Sequence, residues 1–280
     1  MRKIALGTVQ FGLDYGVTNP SGQVAIDEVR NILTFATNNE IDTLDTAAKY
    51  GNSEQVLGSC GVNNYQIITK TIPLDDDVNK VIDGFHKSLE SLNQKQVEGL
   101  LIHDISNVEN KQFDALFSKL NELKQQGLIK KIGFSTYTPE QVNFLLENFD
   151  FDLIQVPFNV FDTRLIQDGQ LQALKSKGVE IHARSIFLQG ILLNFDNLPD
   201  YFLTWKKQFT EYQAMVKNSG LSLLEYALNF SLSIREIDKI LVGVNSENQL
   251  REIVQSVKEQ SSLEACPIGD INLLNPSLWN

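Results

Sequence analysis

The chain has 280 residues, 42% of them hydrophobic, and a formal charge of −11. That is enough apolar material for a real core, and the acidity argues against a nucleic-acid partner, whose phosphates need a basic surface. No apolar run approaches membrane-spanning length, and Met1 to Gly7 lacks the apolar core of a signal peptide, so a cytoplasmic protein with no membrane partner is expected. Cys60 and Cys266 are too few for a disulfide framework and form no CxxC pair.

Short apolar runs alternate with amphipathic segments from end to end. Strands are expected over Ile4 to Thr8, Ile41 to Asp45, Gln66 to Lys70, Gly99 to His103, Lys131 to Ser135, Leu153 to Val156, Val179 to Arg184 and Lys239 to Val242. Between the first two, Val24, Asp27, Val29, Ile32, Leu33, Phe35 and Ala36 recur near a 3.6-residue period, which predicts a helix. Val78, Val81, Ile82, Phe85, Leu89 and Leu92 predict another. A third runs from Phe113 to Lys124 and stops at Gly127. Thr138-Pro139 announces a fourth, as an N-cap followed by proline in the first turn.

Repeated strand-then-helix units favour a parallel sheet. Eight of them without a Pro-, Gly- or Ser-rich linker favour closure into a single (β/α)8 TIM barrel, one domain over residues 1–280. The alternative is an open doubly wound sheet, but no GxGxxG or GxxxxGK[ST] follows the first strand. Two segments fall outside the repeat: a long loop before the last strand, Asn194 to Asn218, and an irregular tail over 261–280. Long connections at the strand C-terminal face of a barrel usually belong to the active site.

That face collects an unusual set of side chains. Asp45, Lys70 and His103 end consecutive strands, and Tyr50 follows in the loop after Asp45. A phenol has a reference pKa near ~10, and a neighbouring Lys70 ammonium is expected to lower it. Asp45 can pair with Lys70 and spare it the cost of burial unpaired. His103 can donate a hydrogen bond to a substrate carbonyl. The result is a proton donor beside a carbonyl-polarising site, which needs an electron source such as a nicotinamide cofactor. No metal site is expected, since His86, His103 and His182 have neither HxH nor HExxH spacing; His182 reads as a buried imidazole and His86 as a residue of a solvated helix face.

These residues resemble the aldo-keto reductases from Leu6 to about Ser256. Leu6-Gly7-Thr8 is similar to the family's opening LGT strand, and Asp45-Thr46-Ala47-Ala48-Lys49-Tyr50-Gly51 to its DTAxxYG element. With Lys70 and His103 the resemblance implies a complete catalytic tetrad. It also implies that Ser135, Thr136 and Gln155 hold the nicotinamide carboxamide. Arg184, Ser185, Phe187, Gln189 and Gly190 would line the pyrophosphate, and Gly243, Asn245, Ser246 and Gln249 the adenosine. Gly7 and Thr8 complete the implied cofactor set. The implied reaction is hydride transfer from NAD(P)H to an aldehyde or ketone, with a bacterial sugar dehydrogenase subgroup as the nearest likeness.

Three departures stand out. Thr136 replaces the usual Asn. Arg184 stands where an aromatic ring commonly stacks on the nicotinamide; its charge disfavours an oxidised, cationic cofactor and attracts an anionic substrate group. Asn245-Ser246-Glu247 lacks the basic residue that commonly grips a 2′-phosphate, although Ser246 and Gln249 have capping-box spacing. NADP(H) is the expected cofactor on family habit, with NAD(H) its rival. Two other functions fit the same residues: a non-catalytic cofactor-binding regulator, and a sugar isomerase or lyase using the same acid-base set.

Overall fold

The computed structural model describes all residues except Thr18, Pro20, Asn197, 259–262 and Asn280. Eight strands form a closed, all-parallel barrel in sequence order: β1 (Ile4–Gly7), β2 (Thr43–Asp45), β3 (Gln66–Lys70), β4 (Val97–Ile102), β5 (Ile129–Ser135), β6 (Leu153–Pro157), β7 (Glu180–Arg184) and β8 (Lys239–Gly243). β8 closes the ring on β1, with Leu6 opposite Val242. The TIM barrel expected from the sequence is therefore the fold.

The helices between strands are α1 (Val9–Gly12) and α2 (Ile26–Asn38) after β1, then α3 (Ser53–Cys60), α4 (Val78–Leu92), α5 (Phe113–Gln125) and α6 (Pro139–Asn148). α7 (Arg164–Gln167) and α8 (Gln170–Ser176) follow β6. α9 (Lys206–Ser219) and α10 (Leu223–Ser233) precede β8, and α11 (Glu247–Gln255) and α12 (Ile271–Leu274) end the chain. α4 shows why the periodicity was legible: Val78, Val81, Phe85, Leu89 and Leu92 are all buried at helical spacing. The Thr138 side chain accepts from Gln141 N while Gln141 reaches back to the Thr138 amide, so α6 starts on a full capping box.

Ile68, Leu101 and Leu153 form an apolar cluster separate from the outer core. β4 and β6 are not sheet neighbours, so these side chains meet across the barrel interior. Strand side chains alternate with period two. The next interior positions, one layer nearer the mouth, are therefore Lys70, His103 and Gln155. The same parity carries Thr43 to Asp45 and His182 to Arg184. Convergence of the polar residues follows from strand geometry once the apolar layer is placed.

At the opposite ends of the strands, Glu180 is bound by buried His182 at 2.7 Å and by Lys131 at 2.6 Å. These partners hold its carboxyl at about 2, against an ordinary value of 4.5. A depressed carboxylate stabilises the fold above its unfolded pKa and loses that contribution as pH falls through the folded value. Glu180→Gln is therefore expected to cost about 1–2 kcal/mol at neutral pH, after allowance for solvent screening, and progressively less between pH 4.5 and 2. Urea unfolding at the two ends of that window checks it.

The segment expected as a loop before β8 is largely helical. A 3-10 stretch covers Asp200–Trp205, and α9 follows with Phe209, Tyr212 and Val216 buried. In the tail, Cys266 N and Ile268 N donate to Val160 O and Phe161 O beyond β6. Trp205 Nε1 donates to Asp270 Oδ2 at 3.0 Å, and Tyr201 OH to Asn272 O at 2.8 Å. The tail thus docks beside the mouth, against the segment after β7. Positions 261, 262 and 280 of the expected tail, and Asn197 of the expected loop, lie outside the described residues.

Candidate active site

Asp45, Lys70 and Gln155 form the floor. Lys70 Nζ donates to Asp45 Oδ1 at 2.6 Å and to Thr46 O at 2.8 Å, while Gln155 Nε2 donates to Asp45 Oδ2 at 2.7 Å. All three are almost wholly buried, so the pair is desolvated and its hydrogen bonds carry the cost of burial. Thr8 fixes the backbone of the same residue from behind, since its amide and hydroxyl both donate to the Asp45 carbonyl oxygen at 3.0 Å. Gln155 and Thr8, expected to face a cofactor, are thus engaged with Asp45.

Tyr50 lies above this floor. Lys70 Nζ is 4.9 Å from its ring centroid, and the His103 ring meets it edge-on at 5.9 Å. The loop that carries it is set by two glycines in contact. A Cβ on Gly12 would lie 1.9 Å from Tyr50 O, and one on Gly51, at φ +56°, 2.2 Å from Gly12 O. Neither position admits a side chain without moving Tyr50.

The electrostatics correct one expectation. Burial pushes the Tyr50 phenol above its ordinary value, and the downward pull of Lys70 does not overcome it. Burial also opposes the Lys70 ammonium, but Asp45 and Tyr50 outweigh it and raise its pKa. Tyr50 therefore keeps its proton at neutral pH beside a cation that would stabilise its conjugate base. His103 is pushed down to about 3 by burial and by Lys70, Lys49 and Arg184, so its imidazole is neutral.

Arg184 crosses the mouth. It donates to Thr136 O at 2.9 Å and Ser185 Oγ at 3.3 Å, with its guanidinium 4.2 Å from the Tyr137 ring centroid. The backbone beyond it is strained, with φ of +61° at Ser185, +48° at Leu188 and +52° at Gln189. Such clustering outside glycine is characteristic of functional loops. Gln189 Nε2 donates to Tyr15 OH at 3.0 Å, which brings the loop after β1 across the same opening. Phe187 is buried, and Gly190 closes its turn at φ +93°.

The remaining expected positions share this rim. Gly7, Ser135, Gly243 and Asn245 stand at or just beyond the ends of β1, β5 and β8, and Ser246 caps α11. The Ser246–Gln249 pair is not a reciprocal box. Gln249 N donates to Ser246 Oγ, but Gln249 Oε1 accepts from Asn245 N, one residue too far back.

The comparisons match this geometry. The Aldo/keto reductase family model covers residues 3–268. The chain belongs to the aldo/keto reductases. It is 29% identical to L-galactose dehydrogenase of Arabidopsis thaliana over 86% of this chain and 82% of that one. Among solved structures, the holo form of aldo-keto reductase AKR11C1 from Bacillus halodurans superposes with a TM-score of 0.75 at 20% identity, covering 93% and 88% of the two chains. The glycerol dehydrogenase AKR11B4 from Gluconobacter oxydans does so at 0.72 and 21%, with the same coverage. Membership makes the protein an oxidoreductase whose family uses NAD(P)H on small carbonyl compounds. No helix among the described residues is long and apolar enough to cross a membrane, and no metal-holding cluster is found there.

The mouth carries polar atoms that a bound dinucleotide could satisfy. The side-chain atoms Thr136 Oγ1, Asn245 Oδ1 and His103 Nδ1 are buried without a hydrogen-bond partner. Such groups are costly unless a ligand or water satisfies them. Sequence reasoning did not single out Tyr137 or Glu28, one in the loop after β5 and the other on an outer helix, where neither periodicity nor a strand end marks them.

Proposed function

We propose that the chain reduces an aldehyde or ketone, with Tyr50 as proton donor and a small polyhydroxylated carbonyl compound, a sugar, as substrate. The observation that carries this reading is the buried Asp45–Lys70 pair directly beneath the Tyr50 ring. A nicotinamide dinucleotide, when bound, would supply the hydride for the carbonyl carbon. The carbonyl oxygen takes the Tyr50 proton, and Lys70 stabilises the phenolate left behind until solvent reprotonates it. The neutral His103 N–H orients the same oxygen. Thr136 and Ser135 would hold the carboxamide end of the dinucleotide and Asn245 and Ser246 its adenosine end. A mouth built from Tyr15, Tyr137, Arg184 and Lys49 offers hydrogen-bonding groups suited to hydroxyls, and a sugar substrate agrees with the likeness to L-galactose dehydrogenase.

The test is consumption of reduced dinucleotide against a panel of aldoses, ketoses and simple aldehydes, with the alcohol product quantified. Equimolar alcohol formation is expected. Tight dinucleotide binding with no turnover of any carbonyl would favour a non-catalytic regulator, and sugar interconversion without dinucleotide an isomerase.

A further inference from the structure

The start of α11, beside the end of β8, holds a carboxylate from a distant part of the chain. Glu28, in the first turn of α2, reaches the start of α11, where its Oε1 accepts from Glu247 N at 2.7 Å. Its other oxygen accepts from Asn31 Nδ2 at 3.1 Å, which fixes the group on both sides. In barrels of this kind, phosphates are commonly bound by the loops after strands seven and eight and a nearby helix N-terminus. Here that helix terminus is already capped by the chain's own anion.

The surrounding charges act in the same direction. Glu247 pairs with Arg251, whose guanidinium also lies 4.4 Å from the Phe35 ring centroid. Gln249 N is taken by Ser246 Oγ and Asn245 N by Gln249 Oε1. A phosphate arriving at this corner would meet two carboxylates, a cation already neutralised and few free amides. A ribose hydroxyl would instead meet a carboxylate acceptor.

Resting on the dinucleotide reading above, we propose that Glu28 makes the site select the cofactor with a free adenosine 2′-hydroxyl, NADH over NADPH. The two cofactors differ only by the 2′-phosphate, so the ratio of their dissociation constants isolates this corner from every contact they share. This reverses the preference expected from the sequence. There Glu247 and Arg251 were visible, but Glu28, 219 residues away in the chain, was not.

The experiment is fluorescence titration of the full chain with NADH and with NADPH, for the wild type, Glu28→Gln and Glu28→Gln/Glu247→Gln. The wild type should bind NADH roughly tenfold or more tightly than NADPH, and Glu28→Gln should narrow that ratio by about tenfold, the double variant further. Raising the salt should also narrow it, because the corner is partly exposed. Thermal melts of each variant confirm that it is folded. Tighter wild-type binding of NADPH, or a ratio that Glu28→Gln leaves unchanged, overturns the proposal while the reductase reading stands. Failure of both cofactors to bind removes both.

Discussion

Tyr50→Phe is expected to lower kcat for carbonyl reduction by about 10³-fold, the usual worth of a positioned general acid, while dinucleotide affinity stays within a few-fold. The phenol holds its proton at neutral pH and stands beside a buried cation able to stabilise its loss. The pH profile carries the same information. A phenol raised above its ordinary value of 10 gives an activity limb on the alkaline side only. His103, at about 3, contributes none between pH 5 and 8. Steady-state kinetics across that range should be flat for the wild type, and a limb near pH 6 or 7 would assign the proton to another group.

Removing the ammonium should do more damage than removing the phenol. Lys70→Met leaves Asp45 buried with Gln155 Nε2 as its remaining side-chain partner, and an uncompensated buried charge costs about 3–5 kcal/mol. The variant should lose activity and unfold at markedly lower urea. The double variant Asp45→Asn/Lys70→Met should recover much of the stability and none of the activity, because the charge goes but the support for a phenolate does not return. The cycle measures the coupling directly. A Lys70→Met protein as stable as the wild type would mean that the pair is not desolvated as the structure has it.

The barrel and its polar mouth were legible in the sequence because both follow from strand periodicity. Ile68 and Lys70, Leu101 and His103, Leu153 and the glutamine two places on are pairs separated by two residues, and a closed parallel sheet sends each pair inward. The energetic balance was not legible. Lys70 beside Tyr50 suggested a lowered phenol pKa, whereas the depth of burial decides the direction, and depth is a property of the assembled fold. Gln155 was expected to face a ligand, and its bond to Asp45 across the barrel, a contact between residues 110 positions apart, was not foreseen. α9 escaped notice because it has no capping residue at its start and buries only Phe209, Tyr212 and Val216 against a largely polar sequence. Substrate contacts in this fold come from loops, among them Phe11 to Gly22, whose Thr18 and Pro20 lie outside the described residues.

The docking of the C-terminal segment has a practical corollary. The chain has two tryptophans, and both belong to that junction: Trp205 is hydrogen-bonded to Asp270, and Trp279 packs edge-on against Phe202 at 5.0 Å. Indole emission is therefore a native optical reporter of whether the carboxyl-terminal arm is seated. An early spectral change during gentle denaturation, with the hydride-transfer chemistry still intact, would mark release of the arm and not collapse of the cylinder.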